Sequence, residues 1–369
     1  MARGTAFWRR AAARILKRAA AGRRPAPAEA PAPGLPPGLS VDDLQDVLWR
    51  ETGQAARRFA FLHLSSWKPS GSCRLYLELE NGAPWTVIFK NALYTADQAP
   101  ALEGFPLRPG PPEFAVYRRP EGPLRPFLPR VFLCREVVPA RHYNYLLEDL
   151  SGTHERANRI ESVLAVASRL REIHEALSAW AVPEDRERLL LYDRGFSDAL
   201  REYARRNLER YVRAVDDDAV SRIYRRWPEI AAMHAREDFA CADRILHGDF
   251  GPSNILIHTS DPSRLKLIDW EWTGYGLAEA DLASLLKGVS ADVERGAVAI
   301  YLHGGAVPTR DRSARLYLWC RLERGLLDAA FIAAQALDAS NDARLNLRGF
   351  VRKALQRAEG AYEDLRKGS

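Results

Sequence analysis

Apolar runs and alternating apolar and polar residues between positions 59 and 90 predict a small antiparallel sheet. Residues 73–80 carry leucines at alternate positions, which places them on one face of a strand. The apolar runs at 59–64 and 85–90 predict two further strands, and Asn81-Gly82 is typical of a tight hairpin turn between the second and third. We therefore expect three consecutive strands joined in antiparallel order.

Apolar residues at helical spacing predict that most of the remaining chain is helical. The first predicted helix follows Ser40, a suitable capping residue, and extends to Trp49 with Asp42 and Asp43 favourably placed in its first turn. The other predicted helices span 159–177, 197–212, 220–233, 278–286, 291–303, 311–336 and 344–365. Strands therefore precede a region made mainly of helices.

Polar residues with metal-binding chemistry flank a predicted β-hairpin. Two short apolar runs, 255–257 and 265–268, are separated by a turn rich in Ser, Asp and Pro. This hairpin is expected to bring Asp249, Asn254 and Asp269 to one end of the strand pair. Two carboxylates and an amide oxygen suit Mg²⁺, which completes its octahedron with waters and nucleotide phosphates. A spare carboxylate can orient a substrate hydroxyl and accept its proton.

The spacing H-x-D-x-x-x-x-N followed by I-D resembles the protein-kinase-like fold. Within that fold, H-G-D is similar to the aminoglycoside phosphotransferase and choline kinase family. The resemblance implies an α+β, bilobal protein-kinase-like fold with a small antiparallel β-sheet lobe and a larger, mainly helical lobe. It implies Asp249 as catalytic base, Asn254 and Asp269 as metal ligands, and His247 as the residue that braces the catalytic loop. A metal-free surface hairpin with chance acids is the alternative.

The same resemblance implies an ion pair at the nucleotide site. Lys90, at the end of the third predicted strand, matches the lysine that contacts the nucleotide phosphates. Glu113 matches the helix glutamate that pairs with this lysine, although Glu103 or another nearby acid could serve instead. Asp281 matches an acid that braces the catalytic loop, and a simple helix-face acid is the alternative reading.

Two backbone segments are expected to contact the nucleotide. The loop at 65–72 is expected to lie over the triphosphate, with Ser70, Gly71 and Ser72 as candidate contacts, or to be a plain polar hairpin loop. By resemblance, the segment 145–152 is the hinge between the lobes, where backbone groups of Glu148 and Leu150 bond the purine. The implied cofactors are ATP or GTP with Mg²⁺.

The N-terminal segment differs in composition from the remainder of the chain. Residues 1–39 are predicted to be a disordered basic tail and Pro/Ala-rich linker without a core. Removing residues 1–38 is therefore expected to leave the fold intact. The small lobe is expected at 40–147 and the large lobe at 148–369. Residues 1–20 also show helical spacing with a basic face, which is compatible with weak contact to an anionic membrane surface; a solvated tail is the favoured alternative.

Charge and cysteine distribution restrict the function classes. Residues 1–40 hold eight basic side chains against one acid, whereas the rest of the chain holds 46 basic and 47 acidic side chains. This nearly neutral body does not support nucleic-acid binding. None of the four cysteines shows C-x-x-C spacing, so neither a zinc site nor a disulfide framework is indicated, which fits a cytoplasmic protein.

We therefore expect a kinase that transfers the γ-phosphate of ATP or GTP to a small-molecule hydroxyl: an amino alcohol, a sugar, an antibiotic or a related metabolite. Trp270 and Glu271 suit an ammonium ligand by cation–π and charge attraction, but Trp270 could equally pack in the core. A nucleotide-binding pseudokinase or scaffold, and a kinase acting on a macromolecule, are the alternatives.

Overall fold

The computed structural model describes most of the chain after residue 31. The described residues are 32–64, 71–93, 112–138, 142–181, 187–215, 217–236, 244–303, 307–338 and 341–367. Ser70, Glu103 and the basic segment 1–20 lie outside this part, so the expectations about them stay predictions.

Six strands form an antiparallel sheet in the described N-terminal part, in the order β1-β2-β3-β4-β6-β5. Their bounds are β1 Ala32–Pro33, β2 Ala56–His63, β3 Gly71–Leu79, β4 Pro84–Leu93, β5 Val131–Val138 and β6 His142–Glu148. The three strands predicted from alternation are β2, β3 and β4, and burial alternates along β3 as the leucine pattern requires. Strand β5 was not predicted.

Among its described residues this lobe has two α-helices, α1 (Val41–Thr52) and α2 (Pro112–Tyr117). Helix α1 begins because the Ser40 hydroxyl accepts a hydrogen bond from Asp43 N at 3.1 Å, and it ends at Gly53, which adopts a left-handed conformation with φ 68°. Its apolar face, which includes Leu44 and Leu48, is fully buried with Leu75 and Phe89 of the sheet. Burial of this face fixes the helix on the sheet.

The prediction of a detached linker through residue 39 is wrong for residues 32–39. Strand β1 pairs with β2, and Leu39 is buried in the core of the small lobe. The amides of Asn91 and Asn144, both buried, donate to Pro37 O at 3.1 Å and to Gly38 O at 2.6 Å. We call residues 32–39 the N-terminal strap. The sequence suggested a linker because Pro and Ala lack a strand-like pattern, but the sheet supplies the hydrogen-bond partners.

The C-terminal part is mainly helical. Its helices are α3 Ile160–Trp180, α4 Arg194–Ala214, α5 Asp218–Arg225, α6 Trp227–Arg236, α7 Glu279–Leu285, α8 Ala291–His303, α9 Val307–Asp338 and α10 Asn341–Lys367. Its short strands are β7 His154–Arg156, β8 Leu190–Leu191, β9 Arg244–Leu246, β10 Ile255–His258, β11 Asp261–Leu267 and β12 Gly274–Gly276. Each predicted helix other than the one at 220–233 corresponds to one observed helix. The prediction of one helix at 220–233 is wrong, because α5 and α6 are separate helices around Arg226, with Pro228 at the start of the second.

The predicted hairpin is formed by β10 and β11, and it positions the candidate site. The turn is shorter than expected, because β11 begins at Asp261 and pairs with His258. Ile255, Ile257, Leu265 and Leu267 are buried in a core cluster that also includes residues of β4, β6 and α3. The hairpin is therefore held between the small lobe and the helices. In the described part of the chain, no helix combines the length and apolar character needed to cross a membrane.

Candidate active site

Asp281 of α7 holds the segment 247–254, which lies between β9 and β10. Its carboxylate accepts hydrogen bonds from His247 N at 2.7 Å and from Gly248 N at 2.9 Å, and it lies 3.1 Å from His174 Nε2. The His247 ring is fully buried and its Nε2 lies 3.2 Å from Ile268 O. Burial lowers the pKa of His247, so the neutral ring is favoured. These contacts suit the bracing role expected for His247 and Asp281.

Gly248 allows this segment to pass close to the chain after β11. Gly248 has φ +79°, and a Cβ atom at this position would lie 2.0 Å from Trp272 O. A residue with a side chain would therefore meet backbone atoms in a conformation that it rarely adopts. The glycine of H-G-D is a steric requirement of this packing.

Asn254 holds the side chain of Asp249. Asn254 Nδ2 donates to Asp249 Oδ2 at 2.8 Å and to Asp249 O at 2.8 Å. The Asp249 side chain is 15% exposed, whereas Asn254 is fully buried. Since Nδ2 serves Asp249, the amide oxygen Oδ1 is the Asn254 atom able to ligate a cation.

Lys90 lies among three buried carboxylates. Its Nζ is 2.6 Å from Glu113 Oε1, 2.9 Å from Asp269 Oδ1 and 3.3 Å from Glu271 Oε1. The structure thus brings Lys90, Glu113 and Asp269 together across three elements, as the resemblance implied. Burial raises the pKa of Glu113 to about 7, against the opposing effect of Lys90 and with a further rise from Glu271 and Asp269.

The arrangement around Lys90 suits a divalent cation. One ligand oxygen each of Glu113, Asp269 and Glu271 lies within 4.8 Å of the others. Three carboxylates against one ammonium leave an excess of negative charge, and oxygen donors of this kind are those that Mg²⁺ prefers. Ile268, the residue before Asp269, donates its backbone N–H to Asn254 O at 3.0 Å. This hydrogen bond holds the chain at Asp269 beside Asn254.

Asp269 adopts an unusual backbone conformation. It has φ 72°, the only non-glycine residue with positive φ among the described residues. Asp tolerates this region better than most residues, but the conformation persists only where the surroundings impose it. It brings the carboxylate to Lys90 directly after β11.

The candidate nucleotide contacts lie around this cluster. Ser72 is paired with Lys90 between β3 and β4, so the two side chains share one face of the sheet, and Gly71 is paired with Asn91. In the hinge, Glu148 N donates to Arg130 O at 2.9 Å, so its carbonyl is the group suited to accept from a purine. Leu150 is buried at the start of a short 3₁₀ helix. The purine contacts stay predictions.

The ammonium-binding role considered for Trp270 is not supported by its position. Trp270 is fully buried, its ring centroid lies 4.4 Å from that of His247, and its Nε1 donates to Leu267 O at 3.1 Å. Trp270 is therefore a packing residue that lies against the segment 247–254. Three arginines of α4 form ion pairs with acids of the same helix: Arg201, Arg205 and Arg213.

Three charged residues near Asp249 were not singled out from the sequence. Arg324 Nη2 lies 2.9 Å from Asp249 Oδ1, and Asp328 lies one turn further along α9 and 2.5 Å from Lys287 Nζ. Desolvation opposes the charge on Arg324, but Asp328 and Asp249 raise its pKa. The signal was an Arg/Asp pair at i and i+4 inside the apolar run of the predicted helix 311–336.

Comparisons with known proteins bear on the family and the fold of this chain. A family model described as the phosphotransferase enzyme family matches residues 108–344. No curated protein sequence matches. Among solved structures, spectinomycin phosphotransferase APH(9)-Ia, crystallised with ADP and spectinomycin, has a TM-score of 0.55 at 14% identity and covers 88% of this chain and 99% of its own.

Two further solved structures share the fold. The aminoglycoside phosphotransferase APH(4)-Ia, a thermostable mutant, has a TM-score of 0.51 at 16% identity, with 88% of this chain and 99% of that chain covered. The GDP complex of aminoglycoside 2'-phosphotransferase-IIIa has a TM-score of 0.51 at 12% identity, with the same coverage. The expected protein-kinase-like fold is confirmed, and the family model covers more than half of the chain. This chain therefore belongs to the phosphotransferase enzyme family.

Proposed function

We propose that this protein transfers the γ-phosphate of ATP or GTP to a hydroxyl group of a small molecule. The observation that carries the proposal is the position of Asn254, which links the two halves of the site. Asn254 bonds the carboxylate of Asp249 through Nδ2, and its carbonyl accepts from Ile268 N, one residue before Asp269. Asn254 thereby fixes the position of Asp249, the proposed proton acceptor, relative to Asp269 and the other carboxylates around Lys90.

Asp249 is the proposed base. Its carboxylate is partly exposed and oriented by hydrogen bonds. The acceptor hydroxyl oxygen attacks the γ-phosphorus, the bond between that phosphorus and the β,γ-bridging oxygen breaks, and the hydroxyl proton passes to Asp249. The nucleoside diphosphate leaves with the bonding electron pair.

Lys90 and Asp269 are the proposed nucleotide-phosphate residues. Glu113 holds the Lys90 ammonium, which would pair with phosphate oxygens of the bound nucleotide. Asn254 and Asp269 would hold Mg²⁺, with Glu271 close enough to assist, and the ion when bound would neutralise charge on the phosphates. Gly71, Ser72 and the backbone of Glu148 and Leu150 complete the proposed nucleotide site.

The acceptor is proposed to be a small molecule on two grounds. Structural neighbours of this fold were crystallised with spectinomycin or kanamycin, so those proteins bind small molecules. The body of this chain is nearly neutral and lacks the overall basic excess that is typical of nucleic-acid-binding domains.

A screen of nucleotide consumption tests the proposal. ATP or GTP with Mg²⁺ is offered with amino alcohols, sugars and aminocyclitol antibiotics, and each product is checked by mass for one added phosphoryl group. We expect one acceptor class to stimulate consumption and EDTA to abolish it. Tight nucleotide binding without turnover towards any hydroxyl compound or water would favour a pseudokinase instead.

A further inference from the structure

A chain of charged side chains extends from α9 to Asp249. Arg324 Nη2 lies 2.9 Å from Asp249 Oδ1, and Arg324 Nη1 donates to Gly248 O at 3.3 Å. The guanidinium therefore contacts both a carboxylate oxygen and the backbone of the catalytic segment. The Arg324 and Asp249 side chains are 17% and 15% exposed, so water screens this ion pair only in part.

Arg324 is itself held in place by Asp328 of the same helix, and Asp328 in turn pairs with Lys287, which follows α7. Asp328 Oδ1 lies 3.6 Å from Arg324 Nε, and Asp328 Oδ2 lies 2.5 Å from Lys287 Nζ, just after α7. Asp328 is 4% exposed. An anchored guanidinium loses less rotamer freedom than a free one when it bonds a carboxylate, so it can define the direction of that bond.

Each carboxylate oxygen of Asp249 thus accepts a hydrogen bond from a different residue. Asn254 Nδ2 donates to Oδ2, and Arg324 Nη2 donates to Oδ1. One donor alone would leave the carboxylate free to turn about its Cβ–Cγ bond, whereas two donors from different elements fix its plane. Each oxygen retains a second lone pair able to accept from a hydroxyl.

We propose that Arg324 is a positioning residue for phosphoryl transfer: it fixes the Asp249 carboxylate towards the acceptor hydroxyl. This inference rests on the proposed function, in which Asp249 accepts the proton. Arg324 touches neither the nucleotide cluster around Lys90 nor Asp269 in the contacts of the described residues, so its effect belongs to turnover and not to nucleotide binding.

Arg321 provides a matched control on the same helix. It lies one turn before Arg324, its side chain is also 17% exposed, and it also forms an ion pair, with Glu294 at 2.9 Å. Arg321→Met and Arg324→Met therefore remove the same type of side chain from the same type of surrounding. Only the second change removes a contact with Asp249.

The test measures phosphate release from radiolabelled Mg·ATP and Mg·GTP with enzyme in excess and water as acceptor, together with nucleotide binding by calorimetry. Arg324→Met is expected to lower the turnover rate by about 10- to 100-fold, because small misplacements of a catalytic group have costs of this order. The nucleotide affinity of Arg324→Met should stay within about twofold of the wild type, since Arg324 does not contact the carboxylates around Lys90. Arg321→Met should keep the wild-type rate, since its ion pair is with Glu294 and not with Asp249. Arg324→Lys, which keeps the charge but not the fork, should give an intermediate rate.

A double mutant shows whether Arg324 acts through Asp249. Arg324→Met combined with Asp249→Asn should lower turnover no further than Asp249→Asn alone, because the coupled residue is already lost. Equal rates for Arg324→Met and Arg321→Met, or independent losses in the double mutant, would overturn the inference. If Arg324→Met fails to fold, Arg324→Lys decides the question, and a wild-type rate would overturn it. Failure of the proposed function has a different signature: no phosphoryl transfer by the wild type to water or to any acceptor of the screen, or wild-type release by Asp249→Asn.

Discussion

Replacing Gly248 by alanine is expected to inactivate the enzyme without unfolding it. The added Cβ would lie 2.0 Å from Trp272 O and 2.7 Å from Trp272 C, both backbone atoms. Ordinary contact begins near 3.4 Å, so the two segments must separate by about 1.4 Å, the difference between these distances. Asp249 is the next residue, and it moves with the segment.

Gly288 isolates this steric effect from backbone strain. It has φ +85°, close to the +79° of Gly248, but no atom lies within 4 Å of its would-be Cβ. Alanine at either position costs about 1–2 kcal/mol for the left-handed conformation. Gly248→Ala should cost about 1–3 kcal/mol more, as overpacked sites generally do. Denaturant unfolding of the two variants measures that difference.

Activity separates the two variants further. A displacement of about 1 Å at a catalytic group can lower the rate by roughly 10²-fold, so Gly248→Ala should lose about that factor in turnover. Gly288→Ala should turn over at the wild-type rate because its added Cβ would meet no atom within 4 Å and would therefore displace no neighbouring segment. Phosphate release from Mg·ATP measures both rates, and similar rates for the two variants would refute the steric reading of the H-G-D glycine.

Three further outcomes follow from the geometry. Asp269→Ala should remove the Mg²⁺ dependence of ATP binding, measured by calorimetry with and without the metal; an unchanged dependence would place the metal ligand elsewhere. Extending an N-terminal deletion from residues 1–31 to residues 1–39 should lower the free energy of unfolding by about 2 kcal/mol or more. The reason is that two buried asparagine amides lose their acceptors, at about 1–3 kcal/mol each. Equal thermal midpoints of the two deletion variants would show that the strap adds nothing to stability. Burial lowers the pKa of His234 from 6.5 to about 4, so its neutral form stabilises the fold above pH 6.5 and that contribution is lost as the pH falls towards 4; His234→Phe should flatten the dependence of stability on pH over this range, and an unaltered slope would contradict this assignment.

Much of the fold could be predicted because its elements follow local rules. Strand β3 alternates strictly, α1 carries its cap and an apolar face, and the apolar runs of β10 and β11 define the hairpin. The strap at 32–39 escaped prediction because its stability comes from distant partners, the amides of Asn91 and Asn144 and a core shared with α1. Composition reports only local preference, and tertiary hydrogen bonds override it.

The candidate site shows the same division. Asp249, Asn254 and Asp269 could be predicted to lie near one another because they flank the two strands of one hairpin. Arg324 lies 75 residues after Asp249, and only the packing of α9 brings the two together. Glu271 was considered for an ammonium ligand, but its distance of 3.3 Å from Lys90 Nζ is a property of the folded chain.

The most direct test of the account compares wild type with Asp249→Asn in two measurements on the same preparation. Calorimetry reports the affinity for Mg·ATP or Mg·GTP, and phosphate release with enzyme in excess reports transfer. Asp249→Asn removes the proposed proton acceptor and leaves Lys90, Glu113 and Asp269 in place, so binding should persist while transfer falls by roughly 10²–10⁴-fold. A variant that transfers phosphate at nearly the wild-type rate would contradict the assignment of Asp249 as the base.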